Sequence, residues 1–377
     1  MLFKTPGVDE AEADVIGKIN QLKETLGYLV NNTPKRWTGL LRRNALAKAV
    51  QGSNSIEGYK LSVDDAIDVA EGEDPLDAKT ETALAVRGYQ DAMSYVLQLA
   101  NDPHFTYSTD LIRSLHYMML KHELAKNPGR WRPGQIFVHD EEKHLLVYEG
   151  PPAEVVPPLM DELAAQLPDE SLGPPMVRAA MAHLNLVMIH PFSDGNGRMA
   201  RCVQTLVLAR HGTLAPQLSS IEEYLGANVQ PYYDVLNEVG AGSWHPTRDA
   251  RPWVRFCLKA HFIQVTTMLS RARLFDRIWN AAEHEAEQFR LPDRTVIAIA
   301  DAIYGTRIRN ATYRRFDDVS EQVASKDLKR LVDAELLVPQ GERRGRFYTA
   351  SDRLKAIRLE LRDKQPIPDP FAGAGLT

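Results

Sequence analysis

No run of this sequence approaches the roughly 20 consecutive apolar residues that a bilayer-spanning helix requires, which argues against a membrane protein. The opening MLFKTPGVDEAEADV lacks the apolar core of a secretory leader and turns acidic soon after Lys4. Cysteine is nearly absent. Cys202 and Cys257 both sit in apolar helical patterns, so they read as core residues and not as a disulfide or a metal pair. These absences together point to a cytoplasmic protein. Internal repeats and long low-complexity tracts are missing too. So is an overall basic charge: the net value of −5 argues against a chain that binds nucleic acid as a whole.

With 44% hydrophobic and 25% charged residues, the 377-residue chain has material for a sizeable core, and its length suggests two or three domains. The charge is uneven. Residues 303–364 carry 15 Lys and Arg against 10 Asp and Glu, whereas the remainder carries 30 against 40. That asymmetry assigns the C-terminal part a separate job.

Nearly everything before residue 300 reads as helix. Ile16, Ile19, Leu22, Leu26 and Leu29 recur at helical spacing. Further helices are expected at Trp37–Val50, after the capping box Ser62-Val63-Asp64-Asp65, and at Asp77–Ala100 and Thr109–His122. Val155–Leu167, Pro175–Ile189, Arg198–His211, Pro231–Val239 and Pro252–Leu274 continue the pattern. Ile136–Gly150 breaks it: two β-rich ends flank a charged middle, which predicts a hairpin. Beyond residue 290 the signals change. Thr295–Tyr304, Val319–Gln322 and the basic stretch Ser325–Leu331 precede Leu336-Leu337-Val338, a Gly341–Gly345 turn and Arg346–Thr349. Helix–turn–helix followed by a two-stranded wing is a winged-helix pattern. The Pro/Gly/Ala-rich end after Pro366 reads as disordered.

One segment stands apart: His190-Pro191-Phe192-Ser193-Asp194-Gly195-Asn196-Gly197-Arg198-Met199-Ala200-Arg201. Two glycines let the backbone approach a ligand closely, and a helix begins directly after them with free amides and a positive dipole end. Arginines oppose that dipole, so Arg198 and Arg201 in the first turns call for an anionic ligand, and their forks suit phosphate oxygens. Asp194 offers an oxygen to Mg²⁺. His190 can take a proton near neutral pH. The ensemble reads as phosphoryl or nucleotidyl transfer.

This segment resembles the Fic signature, H-P-F-x-D/E-G-N-G-R-x-x-R, at every specified position. Weaker similarity runs from about residue 10 to about 270, including Pro128-Gly129-Arg130-Trp131-Arg132 and Asn228 with Tyr232-Tyr233. The resemblance implies a mainly α Fic fold with a β-hairpin flap and transfer of AMP from ATP to a Tyr, Ser or Thr hydroxyl of a protein, itself included. It implies His190 as base and Asp194 as Mg²⁺ ligand. Asn196 with the Gly195 and Gly197 backbone would cradle phosphates, Arg198 would hold the β-phosphate, and Arg201 the γ-phosphate. Phe192 would anchor the loop, and residues 136–150 would align the target by strand addition. Gly197 stands where phosphorylating relatives carry Lys, which favours AMP transfer; users of cytidine diphosphate choline share much of the motif, so the loop alone leaves the nucleotide open.

Ser53-Asn54-Ser55-Ile56-Glu57-Gly58 is similar to the family's inhibitory pattern, S/T-x-x-x-E-G/N. Glu57 would pair bidentately with Arg201 and displace the γ-phosphate. Some relatives use this Glu to remove AMP, so the reverse reaction stays open. The implied organisation is residues 1–100 as a helical region with the inhibitory motif, 101–275 as the catalytic core, 276–365 as a winged helix and 366–377 as a disordered tail. Tyr232 and Tyr233 border the adenine or simply pack. His116 and His122, six apart, fall on different helix faces and do not suggest a metal pair, and His183 reads as core or groove lining. Arg343, Arg344 and Arg346, with the Lys326–Arg330 helix, leave a DNA contact or a protein contact open, and pairing with a second copy is also open. The competing function is a DNA-binding regulator whose core senses a nucleotide.

Overall fold

Apolar residues at helical spacing produce helices along nearly the whole chain. The computed structural model describes residues 1–31, 37–77, 79–140, 145–211, 218, 220–342, 345–362 and 366–372. Its N-terminal helices are α1 (Glu10–Asn31), α2 (Thr38–Ile56), α3 (Val63–Ala70), α4 (Thr80–Leu99) and α5 (Thr109–Leu120). The hairpin β1 (Phe137–Asp140) and β2 (Leu145–Glu149) follows, then α6 (Val156–Gln166), α7 (Pro175–Ile189) and α8 (Asn196–His211). Next come α9 (Glu222–Ala227), α10 (Val229–Gly240), β3 (Gly242–Ser243) and α11 (Arg251–Gln288). The C-terminal part holds α12 (Val296–Tyr304), α13 (Asn310–Asp317), α14 (Glu321–Asp333), β4 (Leu337–Gln340), β5 (Phe347–Ala350) and α15 (Asp352–Leu361). Ser62, Ser108, Ser320 and Ser351 start α3, α5, α14 and α15 by accepting a bond from the amide three residues on. None of the described helices is long and apolar enough to cross a membrane.

The core centres on α7 and α8, which pack along each other and bury nearly all their side chains. A helix buried all round must be apolar all round. Arg198 and Arg201 break that rule within α8, which marks them before any chemistry is considered. The hairpin is antiparallel, with its register shifting between Val138 and His139, and β3 adds in parallel to β2. The Tyr148 hydroxyl donates to the Met188 carbonyl at 2.8 Å, tying the hairpin to the end of α7.

Three expectations are corrected by packing. Helix α2 runs past Val50 to Ile56, because Ser53, Asn54 and Ile56 are buried, so the Ser53–Glu57 stretch forms its last turn and cap. Helix α11 does not stop at Leu274. Phe275, Ile278, Trp279, Ala282 and Ala286 extend its buried stripe, giving 38 residues and about 57 Å. The expected boundary at residue 275 therefore falls inside one continuous helix. Residues 366–372 also lie ordered on α11, with Asp369 paired to Lys259 and Phe371 under the Arg255 guanidinium; residues 373–377 lie outside the described part.

In the C-terminal part Ile308 bridges Tyr348, and β4 pairs antiparallel with β5. The basic surplus of this region has an internal explanation. Arg307, Arg309 and Arg315 face the acidic residues of α3 and the loop after it. Arg346 is exposed, while Arg343 and Arg344 lie outside the described residues.

Helix α2 crosses α9 at glycine distance. A Cβ on Gly52 would stand 2.5 Å from the Glu222 carbonyl oxygen, and one on Gly226 would stand 2.5 Å from the Gly52 Cα. Both obstacles are backbone and cannot swing aside. Gly52→Ala should therefore lower the unfolding free energy by about 1–3 kcal/mol, the usual cost of overpacking. The check is an earlier midpoint in urea; an unshifted midpoint would show slack at this crossing.

Candidate active site

The His190–Arg201 segment begins where α7 ends. His190 caps that helix at φ 51°, a left-handed conformation that a β-carbon disfavours. It is held there by Arg132, whose Nε donates to the His190 carbonyl at 2.8 Å and whose backbone amide donates to Pro191 O at 2.9 Å. The rest of the Arg132 fork donates to the carbonyls of Gly134 and Pro151.

The His190 side chain has a defined tautomer. Its Nδ1 lies 3.1 Å from the Val187 carbonyl, which can only accept, so Nδ1 carries the proton. Nε2 is then left with a free lone pair. Burial holds the imidazole pKa below its usual value, although the Glu57 carboxylate pulls the other way. A neutral ring with an open Nε2 is the form that accepts a proton.

Between His190 and α8 the loop is closed by its own side chains. Phe192 N donates to Asn196 Oδ1, and Asn196 Nδ2 donates to Phe192 O, both at 2.9 Å. Asn196 thus shapes the loop with both ends of its amide. Gly195 sits at φ 75°, in the left-handed region. A Cβ at Gly197 would meet Glu57 Oε1 at 2.5 Å, so a side chain there collides with the Glu57 carboxylate.

Asp194 accepts from Gly195 N at 2.6 Å through Oδ1 and pairs with Lys126 Nζ at 2.7 Å through Oδ2. Burial would raise its pKa, but Lys126 and the Arg198 charge hold it below the usual carboxylate range. Arg198 is buried beneath the Tyr59 ring, 5.1 Å from its centroid. Its Nε and Nη1, with Arg201 Nη1, are buried donors without a hydrogen-bond partner among the described residues. Such groups cost about 1–3 kcal/mol each unless a ligand satisfies them.

Arg201 is engaged on its other edge. Nε donates to Ser53 Oγ at 2.7 Å, while Nη2 donates to Ser53 O at 3.0 Å and to Glu57 Oε1 at 2.7 Å. The expected bidentate fork on Glu57 is therefore corrected: one carboxylate oxygen and two Ser53 oxygens share the guanidinium. The reason is position. Ser53 faces Arg201 from within α2, whereas Glu57 caps the helix one turn later.

The two tyrosines differ in kind. Tyr232 is buried and donates to His183 Nε2 at 3.0 Å; His183 Nδ1 in turn donates to Gln204 Oε1 at 2.6 Å. It belongs to the scaffold behind Arg201. Tyr233 is exposed, and its hydroxyl reaches the Ile56 carbonyl at 3.4 Å.

Sequence reasoning missed His116. Its ring stacks on Phe192 at 3.7 Å between centroids, accepts from Gly129 N at Nδ1 (2.8 Å) and donates from Nε2 to Asp194 O (2.9 Å). It joins α5, the Pro128–Arg132 segment and the loop. Lys126 was missed as well, since a lone Lys in a polar stretch carries no periodic signal. Among the described residues no group of three or more His, Cys, Asp or Glu stands ready for a metal.

Comparison with known proteins bears directly on this loop. Residues 106–208 match the model of the Fic/DOC family. That stretch holds the whole His190–Arg201 segment. It is 26% identical over 261 residues to a protein of Nematostella vectensis named "Protein adenylyltransferase Fic", a match covering 67% of this chain and 55% of that one. "Protein adenylyltransferase fic-1" of Caenorhabditis elegans is 27% identical over 259 residues, covering 68% and 47%. The chain thus spans about half the length of these relatives. A Fic family protein from Desulfovibrio desulfuricans G20 superposes with a TM-score of 0.59 at 22% identity, over 93% of this chain and 98% of that one. Fic-1 of C. elegans superposes with a TM-score of 0.54 at 25% identity, over 69% and 73%. The helical bundle with its small sheets is the Fic fold.

The His116 contacts make a testable statement about acid. Burial lowers its pKa from 6.5 to about 4. Because the folded-state value is depressed, the unfolded chain binds the extra proton between these two values. The stability conferred by this site is complete above about pH 6.5 and is lost as pH falls toward 4, by up to about 3 kcal/mol. His116→Gln keeps a donor and an acceptor without titrating. It should flatten the decline of the thermal midpoint between pH 6.5 and 4, and an unaltered decline would remove His116 as a contributor.

Proposed function

We propose that this Fic domain transfers AMP from ATP to a Tyr, Ser or Thr hydroxyl of a protein, and that Glu57 holds it inactive. The observation that carries the reading is the state of the two buried arginines. Arg198 has donors with nothing to bind, while Arg201 is occupied by Ser53 and Glu57. A triphosphate beside the first amides of α8 satisfies the former and competes for the latter.

In this reading His190 Nε2 takes the proton of the target hydroxyl, whose oxygen attacks the α-phosphorus as pyrophosphate leaves. Arg198 and Arg201 neutralise the leaving group. The β1–β2 hairpin, pinned to α7 through Tyr148, presents the target segment next to His190. Tyr233 borders the nucleotide, and Tyr232 supports Arg201 from behind. The names of the adenylyltransferase relatives support this choice of chemistry.

Mg²⁺ fits the residues present. Asp194 is a single carboxylate fixed by Gly195 N, and Mg²⁺ is commonly held by one or two carboxylates with phosphate oxygens completing its shell. When bound it would neutralise phosphate charge. In its absence the Lys126 ammonium covers the Asp194 oxygen that a metal would take.

Two expected outcomes test these assignments. Glu57→Gly should raise AMP incorporation at least about ten- to a hundredfold over wild type, since a shielded charge-assisted bond is worth about 1.5–3 kcal/mol. Arg201→Ala should stay silent, because it frees Glu57 but discards the γ-phosphate anchor. His190→Ala should lose about 10²–10⁴ in rate and still bind ATP. Equal incorporation by wild type and Glu57→Gly would refute inhibition by this residue. Lys126→Met should tighten Mn²⁺ binding about two- to fivefold, read by electron paramagnetic resonance, as expected for removing a half-exposed ion pair. Binding that is unchanged or weaker would show that Lys126 does not compete with the metal.

A further inference from the structure

The inhibitory helix has two anchors, and only one of them is in the active site. At its C-terminal end α2 presents Ser53 and Glu57 to Arg201. Nearer its start the same helix carries Arg43, whose Nη2 pairs at 2.5 Å with Asp301 Oδ1 of α12, both side chains being buried. The two anchors lie fourteen residues apart on one unbroken helix, about 21 Å.

The second anchor is reinforced through α3, which follows the Glu57 cap after a short loop. Arg307 Nη2 reaches Asp65 Oδ1 at 2.7 Å and Asp68 Oδ2 at 2.5 Å, and its backbone amide donates to Asp64 Oδ1 at 3.1 Å. Arg309 Nη1 pairs with Asp68 at 3.3 Å and donates to Asp74 O at 2.8 Å. Arg315 spans Glu71 and Glu73 at 3.3 Å each. Asp65, Asp68 and the Arg307 side chain are buried. Three arginines of the basic stretch 303–364 are thus turned inward, onto α3 and the loop after it, while Asp301 of the same C-terminal part takes Arg43 of α2.

We propose that the C-terminal domain is the release element of the inhibition: while docked it holds α2 and α3 so that Glu57 sits on Arg201, and undocking it withdraws Glu57. The inference rests on the proposed inhibition by Glu57 and adds where the signal enters. A rigid helix cannot shift at Arg43 and stay fixed at Glu57, so the two contacts share one equilibrium. Coupling of this kind is reciprocal. A γ-phosphate that takes Arg201 must loosen the α3 face, and a partner that engages the domain's arginines must activate transfer.

The test uses the full chain and two readouts. Arg307→Met removes the central cation while keeping its bulk. It should raise AMP incorporation about tenfold over wild type, within the usual range for coupled sites, and add nothing in a Glu57→Gly background. Amide hydrogen exchange across residues 50–58 should accelerate along with that of 63–76. Arg315→Ala, at a half-exposed pair, should do the same to a smaller extent, and it decides the matter if Arg307→Met does not fold. A folded variant that exchanges faster at 63–76 but not at 50–58, with incorporation unchanged, overturns the inference. Inactivity of Glu57→Gly itself would instead strike the proposed function, and the exchange data would still decide whether the two anchors are linked.

Discussion

A guanidinium keeps its charge at any physiological pH, and Arg201 is sealed inside the central helix pair with that charge intact. Burial works against the charged form, yet the Glu57 carboxylate more than offsets it and raises the pKa. Something anionic or oxygen-rich must therefore face Arg201 at all times. The surrounding structure answers to this demand. Ser53 and Glu57 are brought to it by α2, α2 is seated by the glycine crossing with α9, and Tyr232 and His183 fill the space behind. The site requires an anion or oxygens, and Ser53 and Glu57 supply them from within the chain.

Much of this was legible in the sequence because the loop is contiguous. His190, Asp194, Arg198 and Arg201 fall within twelve residues, so one short segment carries the proton acceptor, the carboxylate and the cations in fixed order. The hairpin at 136–150 was legible for a similar reason, since strand periodicity and its breakers are local. Glu57 was legible only beside the loop, as its hexapeptide says little alone.

What stayed hidden is what tertiary contact alone defines. Arg132 looks like any surface arginine, yet it holds the left-handed His190 through that residue's carbonyl. His116 was judged for metal binding and set aside, and its actual work, bridging Gly129 and Asp194, depends on a loop 78 residues away. That the Asn196 amide closes the loop on Phe192 is likewise defined only by the folded loop. The surplus of basic residues in 303–364 is legible, but not where each of them points. Charge counts carry no direction, and here three arginines meet the acids of α3 and the loop after it. The end of α11 was misplaced because a buried stripe that turns gradually around a helix outlasts the window in which its period is obvious.

That unbroken α11 has a mechanical consequence. It packs against α1 and α7 near its start and against α12 and α15 near its end, so the C-terminal domain is fixed to the core by a stiff rod and not by a flexible string. The chain leaves the rod at Phe289 and Arg290, where φ reaches 52°. Under the proposed release, a C-terminal part detached from α3 would stay tethered beside its seat. Its local concentration there remains in the millimolar range or above, as for any short tether. Re-docking is then fast and independent of protein concentration. Under that same proposal, a partner that opened the contact would have to outcompete a neighbour that never leaves, and the contact would close again once the partner was gone.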